Sequence, residues 1–342
     1  MAKTPHELLV EQVRKVFDSQ NEPIDGSMGK KLIITACVSG AFVNRSHNPN
    51  LPIIAKDVAE GVREARNAGA AMWHFHPRDP QTENIYLPVE QRVPLHKEWC
   101  DAVFQVAPDI ITDVGAIYCK PPEVVGGVVV EESILAETRM APLVDRLFEL
   151  GPRYMEIAIA LVHVAALGRG TNLLSFNNRA GITSDVKYLQ SKGIRIELSP
   201  FKHSDLLDVK EWVLDTGLVK TPVIVDTLLG IHNSPCPRSM IEAFELLFTY
   251  YRMFPKTEGV LWHMLVGGRF WLPLTVVSIM LGADIVRVGL EDAVFMYPQS
   301  NELIKSCGQV IETVAGIARY LGRDVATPSE AREILGLPQL KP

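Results

Sequence analysis

Short apolar runs alternate along the chain with longer stretches whose apolar residues recur at helical spacing. The helical stretches include residues 54–69, 132–151, 204–217 and 241–254, and several of them are followed by the glycine typical of a helix end. Near-continuous apolar runs, each followed by one helix, are typical of parallel strands that helices cover. The eight apolar runs span residues 31–39, 70–76, 109–116, 155–161, 195–201, 221–230, 259–267 and 283–290.

Eight strand and helix units in a chain of 342 residues predict an α/β protein with a closed (β/α)8 TIM barrel. A doubly wound open sheet is the rival fold, but the G-x-G-x-x-G turn is absent after the first strand, where the chain reads "CVSGAFVNRSHNPNLP". An amphipathic segment at about residues 5–19 predicts a short N-terminal helix, and "TPSEAREILGLP" predicts an extra, capped C-terminal helix. We therefore expect an N-terminal extension over residues 1–30 and a single barrel domain over residues 31–342.

The segment 118–133 is longer than a usual loop between a strand and its helix, and we expect it to form part of a lid or an oligomer contact. Helices such as 241–254 are apolar enough to favour association of barrels.

Composition narrows the classes of function. The net charge of −6 is spread along the chain without a basic block, which argues against nucleic acid as a partner. No apolar run approaches the roughly 18 residues that a membrane helix needs. The 5 cysteines form no C-x-x-C pair, so neither a disulfide framework nor a thiolate zinc site is indicated. We predict a cytoplasmic protein with reduced cysteines that acts on a small molecule.

Two histidines at the end of the second strand carry the strongest chemical signal. His74 and His76, in "AMWHFHPRDP", lie two residues apart on a strand and so face the same side, at the carboxyl end where barrels place their active sites. Such a pair can bind a divalent metal or can simply form hydrogen bonds. Glu291, after the eighth strand, is the best third ligand. Glu291 and Asp292 beside Arg287 could instead form a structural ion-pair network.

Both ends of the chain resemble the β-keto acid cleavage enzymes, the family of 3-keto-5-aminohexanoate cleavage enzyme. The likeness covers about residues 31–338 and includes "KLIITACVSGAFVNRSHNPNLP", "AGAAMWHFHPRDP", "GADIVRVGLED" and "LGRDVATPSEAREILGL". The resemblance implies a barrel with Zn²⁺ held by His74, His76 and Glu291. It also implies that a β-keto acid and acetyl-CoA react to give acetoacetate and a new acyl-CoA, and that the protein is a homo-oligomer, such as a tetramer.

The same resemblance assigns roles to three further residues. Asp292 matches the general base and Arg287 the arginine that assists it, while Glu197 matches the acidic residue at the end of the fifth strand. The chain departs from the family after the third strand, where Asp113 in "TDVGA" replaces an expected hydroxyl residue. We expect this acid either to repel the substrate carboxylate or to favour a substrate with a cationic end.

Two other classes of function compete with this one. An amidohydrolase-like metal-dependent hydrolase would use the same barrel, with His203 and His232 as further ligands. Those enzymes carry H-x-H on the first strand and a lysine on the fourth, whereas this chain has H-x-H on the second strand and "YMEIAIAL" on the fourth. A barrel that only binds metal would need no free carboxylate such as Asp292 beside its site. Glu156, an isolated acid on the fourth strand, is either a substrate contact or part of a buried ion pair.

Overall fold

Eight parallel strands close into a barrel in the computed structural model, which confirms the predicted (β/α)8 fold. Around the barrel the order is β1, β12, β11, β10, β9, β6, β3, β2. The barrel strands are β1 Ile33–Ser39, β2 Met72–Phe75, β3 Ile111–Val114, β6 Ile157–Leu161, β9 Arg195–Ser199, β10 Val223–Leu229, β11 Val260–Val266 and β12 Ile285–Gly289. The structure describes residues 3–22, 26–41, 43–115, 123–125, 128–133, 140–162, 165–167, 173–231 and 234–340.

Helices follow the barrel strands in the expected alternation. The short α6 continues into a π-helical turn over Val209–Leu214. The helices are α1 Pro5–Gln20, α2 Ala55–Ala68, α3 Val89–Val106, α4 Ala141–Leu150, α5 Arg179–Ser191, α6 Asp205–Asp208, α7 Met240–Met253, α8 Trp271–Met280, α9 Cys307–Tyr320 and α10 Pro328–Leu335. Both predicted terminal helices, α1 and α10, are therefore present. No helix of the described ranges combines the length and the apolar character needed to cross a bilayer.

A second, four-stranded sheet was not predicted. Its strands are β4 Glu123–Val125, β5 Val128–Ser133, β7 Ala165–Leu167 and β8 Leu173–Asn177, in the order β4, β5, β8, β7. They belong to insertions after β3 and β6, two neighbouring strands of the barrel. The predicted helix 132–151 is wrong at its start, because Val128–Ser133 pairs in parallel with Leu173–Asn177. Residues 116–122 and 134–139 lie outside the described residues, and the role of the segment 118–133 stays a prediction.

The floor of the barrel is an apolar layer at the amino ends of the strands. Its interior side chains pack against Ala331 and Leu335 of α10. This helix is held by a capping box between Thr327 and Glu330, as its sequence predicts. The interior side chains of the floor are Ile33, Met72, Ile111, Ile157, Ile224 and Ile285, all buried.

On most of the barrel strands, the next interior position is polar instead of apolar. Side chains two residues apart on a strand share a face, so the next interior positions lie directly above the floor. We call this set the polar layer. It comprises His74, Asp113, Glu197, Asp226, His263 and Arg287, all of them buried.

Candidate metal centre and active site

His74, His76 and Glu291 converge at the carboxyl end of the barrel, as the sequence predicts. The two Nε2 atoms of the histidines are 3.0 Å apart. The carboxylate of Glu291 is 3.4 Å from His74 Nε2 and 3.3 Å from His76 Nε2. Strand β1 lies between β2 and β12, so the barrel order itself brings the carboxylate to the histidines.

Two glycines leave the space that this cluster fills. A Cβ atom on Gly40 would lie 1.7 Å from Cδ of Glu291. A Cβ atom on Gly115 would lie 2.4 Å from Cε1 of His76 and 2.9 Å from Cε1 of His74. Any side chain at either position would therefore displace a member of the cluster. The sequence analysis did not single out these glycines, although each directly follows an apolar strand.

The donor set fits a divalent metal such as zinc. Three ligand atoms at about 2.0–2.1 Å from a tetrahedral zinc lie roughly 3.3 Å from one another, close to the distances observed. Oε2 of Glu291 is buried and has no hydrogen-bond partner in the described structure. Burial alone raises the pKa of Glu291, but Arg287, His76 and His74 outweigh burial and hold the pKa well below its ordinary value. Burial lowers the pKa of His76 to about 4, so this imidazole is a neutral ligand near pH 7.

Asp292 lies beside the cluster and is held by two side chains. Arg287 donates from Nε to Oδ2 at 3.0 Å and from Nη2 to Oδ1 at 2.6 Å. The Cys37 thiol donates to Oδ2 at 2.9 Å. Burial, and then the Asp292 carboxylate, raise the pKa of this thiol well above its ordinary value, so it remains a donor. The cysteines were predicted only to be reduced, and the contact of Cys37 with Asp292 was not predicted.

Glu197 lies in a second cluster of the polar layer. Its Oε1 is 3.0 Å from Nδ1 of His263, and Asp226 lies close enough for one atom of each residue to fall within 4.8 Å of the others. Asp226 accepts a hydrogen bond from Ser199 Oγ at 3.2 Å. Burial, and then Asp113, raise the pKa of Glu197 well above its ordinary value, and burial with Glu197 raises the pKa of Asp226 to about 7.

The two clusters differ in what lies above them. On β10 and β11, which carry Asp226 and His263, the next interior residues are Leu228 and Leu265, and these pack with Phe201 and Ile231. We call these four side chains the apolar cap. Along β2, β3 and β12, the corresponding residues are the predicted metal ligand His76 and the glycines Gly115 and Gly289. Asp292 and His76 accordingly remain 6% and 7% exposed, whereas Glu197 and His263 are 0% exposed.

Other predicted candidates lie away from the metal-ligand cluster. Glu156 forms an ion pair with Arg332 of α10 at 2.7 Å. Of its two predicted roles, the structure therefore shows the buried ion pair and not the substrate contact. The ring of His203 packs edge-on against Tyr250, with centroids 6.1 Å apart. His232 lies outside the described residues. Cys37, Cys100, Cys236 and Cys307 form no disulfide within the described residues.

The fold and these contacts define a class of protein: a (β/α)8 barrel with two histidines and a carboxylate gathered at the face where barrel enzymes bind substrates. The family model of the beta-keto acid cleavage enzyme matches residues 31–337. The chain belongs to this family, as its end motifs indicated.

Comparison with known proteins gives similar chains of nearly the same extent. A 3-keto-5-aminohexanoate cleavage enzyme of Fusobacterium nucleatum subsp. nucleatum is 28% identical over 310 residues, which is 91% of this chain and 99% of the relative. A 3,5-dioxohexanoate:acetyl-CoA acetone transferase of Paraburkholderia graminis is 27% identical over 314 residues, covering 90% and 96%. The ternary complex of ObcA with a C4-CoA adduct and oxalate has a TM-score of 0.65 at 16% identity, covering 84% of this chain and 68% of that one. That last likeness concerns the fold alone.

Proposed function

We propose that this protein transfers an acyl group between a β-keto acid and acetyl-CoA, giving acetoacetate and the CoA thioester of the shortened acid. The observation that carries the proposal is the convergence of His74, His76 and Glu291 next to an anchored carboxylate, Asp292, in a member of this family. The names of the relatives support the same chemistry, since both act on 3-keto acids and one is an acetyl-CoA transferase.

Zinc is the metal that we propose for the cluster. His74, His76 and Glu291 would hold it, leaving open positions for substrate. When bound, Zn²⁺ supplies Lewis-acid stabilisation for the negative charge that develops on the keto oxygen. The buried, neutral imidazole of His76 and the ionised Glu291 match the ligand forms that zinc requires.

Asp292 serves as the general base that removes a proton from C2 of the keto acid. A carboxylate has about four lone-pair sites, two on each oxygen. Among the described residues, Oδ2 accepts from both Arg287 and Cys37, whereas Oδ1 accepts from Arg287 alone. We therefore assign the arriving proton to Oδ1. The bidentate contact with Arg287 also fixes the plane of the carboxylate before the substrate arrives.

The carbon–carbon chemistry then follows without a redox partner. The C2 carbanion forms a bond to the acetyl carbonyl and CoA leaves as the thiolate. The thiolate attacks the other keto carbon, and cleavage of the bond from that carbon to C2 gives the new acyl-CoA and the carbanion of acetoacetate. This carbanion takes the proton back from Oδ1 of Asp292 and leaves as acetoacetate. We also propose Glu197, which matches the family's acidic residue at the end of the fifth strand, as a catalytic acid. Burial, and then Asp113, raise its pKa well above its ordinary value.

The tail of the keto acid is the least determined part of the substrate. Asp113 was expected to act on the substrate, but within the described residues its carboxylate contacts His74 through Oδ2. We propose a small keto acid whose tail can be neutral or cationic, in line with the amino and oxo substituents in the relatives' names.

Quaternary structure and location are further proposals. Ile241 and Phe248 on α7 and Met280 on α8 are exposed apolar side chains on the outside of the barrel. They support a homo-oligomer, whose subunit number analytical ultracentrifugation would give. The cytoplasmic location stays a prediction.

The decisive experiment is product detection by mass spectrometry. Zinc-loaded protein is incubated with acetyl-CoA and a panel of β-keto acids with cationic, neutral and anionic tails. Acetoacetate together with a matching new acyl-CoA from at least one acid is the expected result, and omission of acetyl-CoA should abolish both. Turnover of a panel member without CoA would instead favour a hydrolase, and no turnover of any member would overturn the proposal.

A further inference from the structure

Asp113 makes a direct contact with one of the predicted zinc ligands. It lies on β3 opposite His74 of β2 in the parallel pair, and both side chains are buried. Oδ2 of Asp113 is 2.9 Å from Nδ1 of His74. The register of β3 against β2 therefore places the Asp113 carboxylate beside Nδ1 of His74, the ring nitrogen that faces away from His76 and Glu291.

This contact determines which ring nitrogen of His74 carries the proton. A carboxylate accepts but does not donate, so Nδ1 of the neutral ring must be the donor. The lone pair is then on Nε2, the atom that faces His76 and Glu291. Without an acceptor at Nδ1, the proton can move to Nε2 and block ligation.

The two histidines differ in this respect. Nδ1 of His76 is buried without a hydrogen-bond partner in the described structure. The other oxygen of Asp113, Oδ1, is likewise without a partner there. Of the two histidines, His74 is therefore the one whose Nδ1 is bonded to a carboxylate in the described structure, and that carboxylate belongs to Asp113.

We propose that Asp113 is a positioning residue that fixes the tautomer and the ring orientation of His74 for zinc. This inference rests on the proposed function, because it assumes zinc at His74, His76 and Glu291. Partners of this kind on metal-bound histidines are worth about 10- to 100-fold in metal affinity. The acid at position 113 thus acts on the metal centre and does not need to touch the substrate.

The test is zinc affinity, measured on the apo protein by competition with a chromogenic chelator. Asp113→Ala removes the acceptor, and we expect about 10- to 100-fold weaker binding. Asp113→Asn keeps an oxygen that accepts from Nδ1 but removes the charge, so its loss should be much smaller. If both variants lose affinity equally, charge alone is responsible and the proposal is overturned.

A matched control uses the other buried aspartate of the polar layer. Asp226 contacts Ser199 and no zinc ligand, so Asp226→Asn should keep zinc affinity within about twofold of the parent. Thermal unfolding of each apo variant by circular dichroism verifies that it is folded. A folded Asp113→Ala with parental zinc affinity overturns the inference alone. A parent protein that binds no zinc overturns the proposed metal site as well.

A second readout is independent of metal binding. The ¹⁵N shifts of the His74 ring in the zinc-free protein distinguish Nδ1–H from Nε2–H. We expect Nδ1–H in the parent and in Asp113→Asn, and a shift of population toward Nε2–H in Asp113→Ala. The Nε2–H tautomer in the parent would contradict the proposal, whatever the affinities show.

Discussion

The metal-ligand cluster and the cluster of Glu197, Asp226 and His263 contain the same kinds of side chain but lie under different cover. Each includes histidine and carboxylate atoms within 4.8 Å of one another. Above the first, the barrel carries Gly40, Gly115 and other small residues. Above the second lies the apolar cap of Phe201, Leu228, Ile231 and Leu265.

The comparison shows that the same kinds of side chain differ in ionisation when their neighbours differ. Burial raises the pKa of a carboxyl group, and for Glu197 and Asp226 the charged neighbours do not cancel this effect. Glu291, which faces Arg287 and two histidines, is instead held ionised. The side chains above each cluster and the cationic neighbour of Glu291 together distinguish the two clusters.

The most direct test of the difference between the two clusters is to replace one glutamate in each by the uncharged glutamine. Glu291→Gln should weaken zinc binding more than about 100-fold and abolish turnover, because a direct ligand exceeds the 10- to 100-fold worth of a ligand's partner. Glu197→Gln, the matched change in the covered cluster, should retain zinc. Metal analysis of both purified variants checks this, and zinc retained by Glu291→Gln would remove the ligand assignment.

The next largest effect concerns proton removal. Asp292→Asn keeps the shape of the side chain but cannot take the proton, so exchange at C2 of a keto acid should slow by about 100-fold or more. Deuterium incorporation followed by NMR, corrected for the rate in buffer, measures this. Zinc content should be unchanged. Asp226→Asn serves as the comparison variant from the covered cluster and should retain exchange, while parental exchange in Asp292→Asn would refute the role of base.

The apolar cap should contribute stability and not metal affinity. Leu265 is fully buried, so Leu265→Ala should lower the free energy of unfolding by about 2–5 kcal/mol. Leu321→Ala, at a position that is 37% exposed, is a matched control and should change it by less than about 1 kcal/mol. Urea unfolding gives both values. If Leu265→Ala weakened zinc binding by as much free energy as it removes from folding stability, the two clusters would not be independent.

The smallest effect is the pH dependence that Asp226 contributes. Its pKa is raised to about 7 in the folded protein, from 3.8, so between these values the folded state holds a proton that the unfolded state has lost. Folding stability from this group therefore falls as pH rises, by up to about 1.4 kcal/mol for each pH unit. Relative to the parent, Asp226→Asn should show a shallower decline between pH 5 and 7 in urea unfolding. Equal slopes in the two proteins would show that Asp226 is ionised throughout.

Much of the fold and the metal-ligand cluster could be predicted from local patterns. The eight barrel strands fall within the eight apolar runs, and "WHFH" and "GLED" place their side chains at strand ends, where barrel geometry brings them together. Asp226 and His263, isolated polar residues inside "VIVDTLL" and "VLWHMLV", gave a signal that was not used. A polar residue in an apolar barrel strand faces either the barrel interior or the surrounding helices. Asp226 shares a face of its strand with Ile224 and Leu228, and that face is the interior one.

Other features depend on contacts that no local pattern contains. The bond between Asp113 and His74 requires the register of β2 against β3. The second sheet requires β5 to pair with β8, which lies beyond two intervening elements of the barrel. Local propensity favoured a helix at residues 132 and 133, and the long-range pairing decided otherwise.

The floor of the barrel has a consequence for biosynthesis. Ile33 near the start of the barrel packs in one apolar layer with Leu335 of α10, and Leu32 pairs with Val325. A chain emerging from the ribosome therefore exposes its lower isoleucines until α10 has been made. Contacts of such large sequence separation slow folding and leave the unfinished barrel open to aggregation. Closure of the barrel floor thus depends on a short helix far from the chemistry.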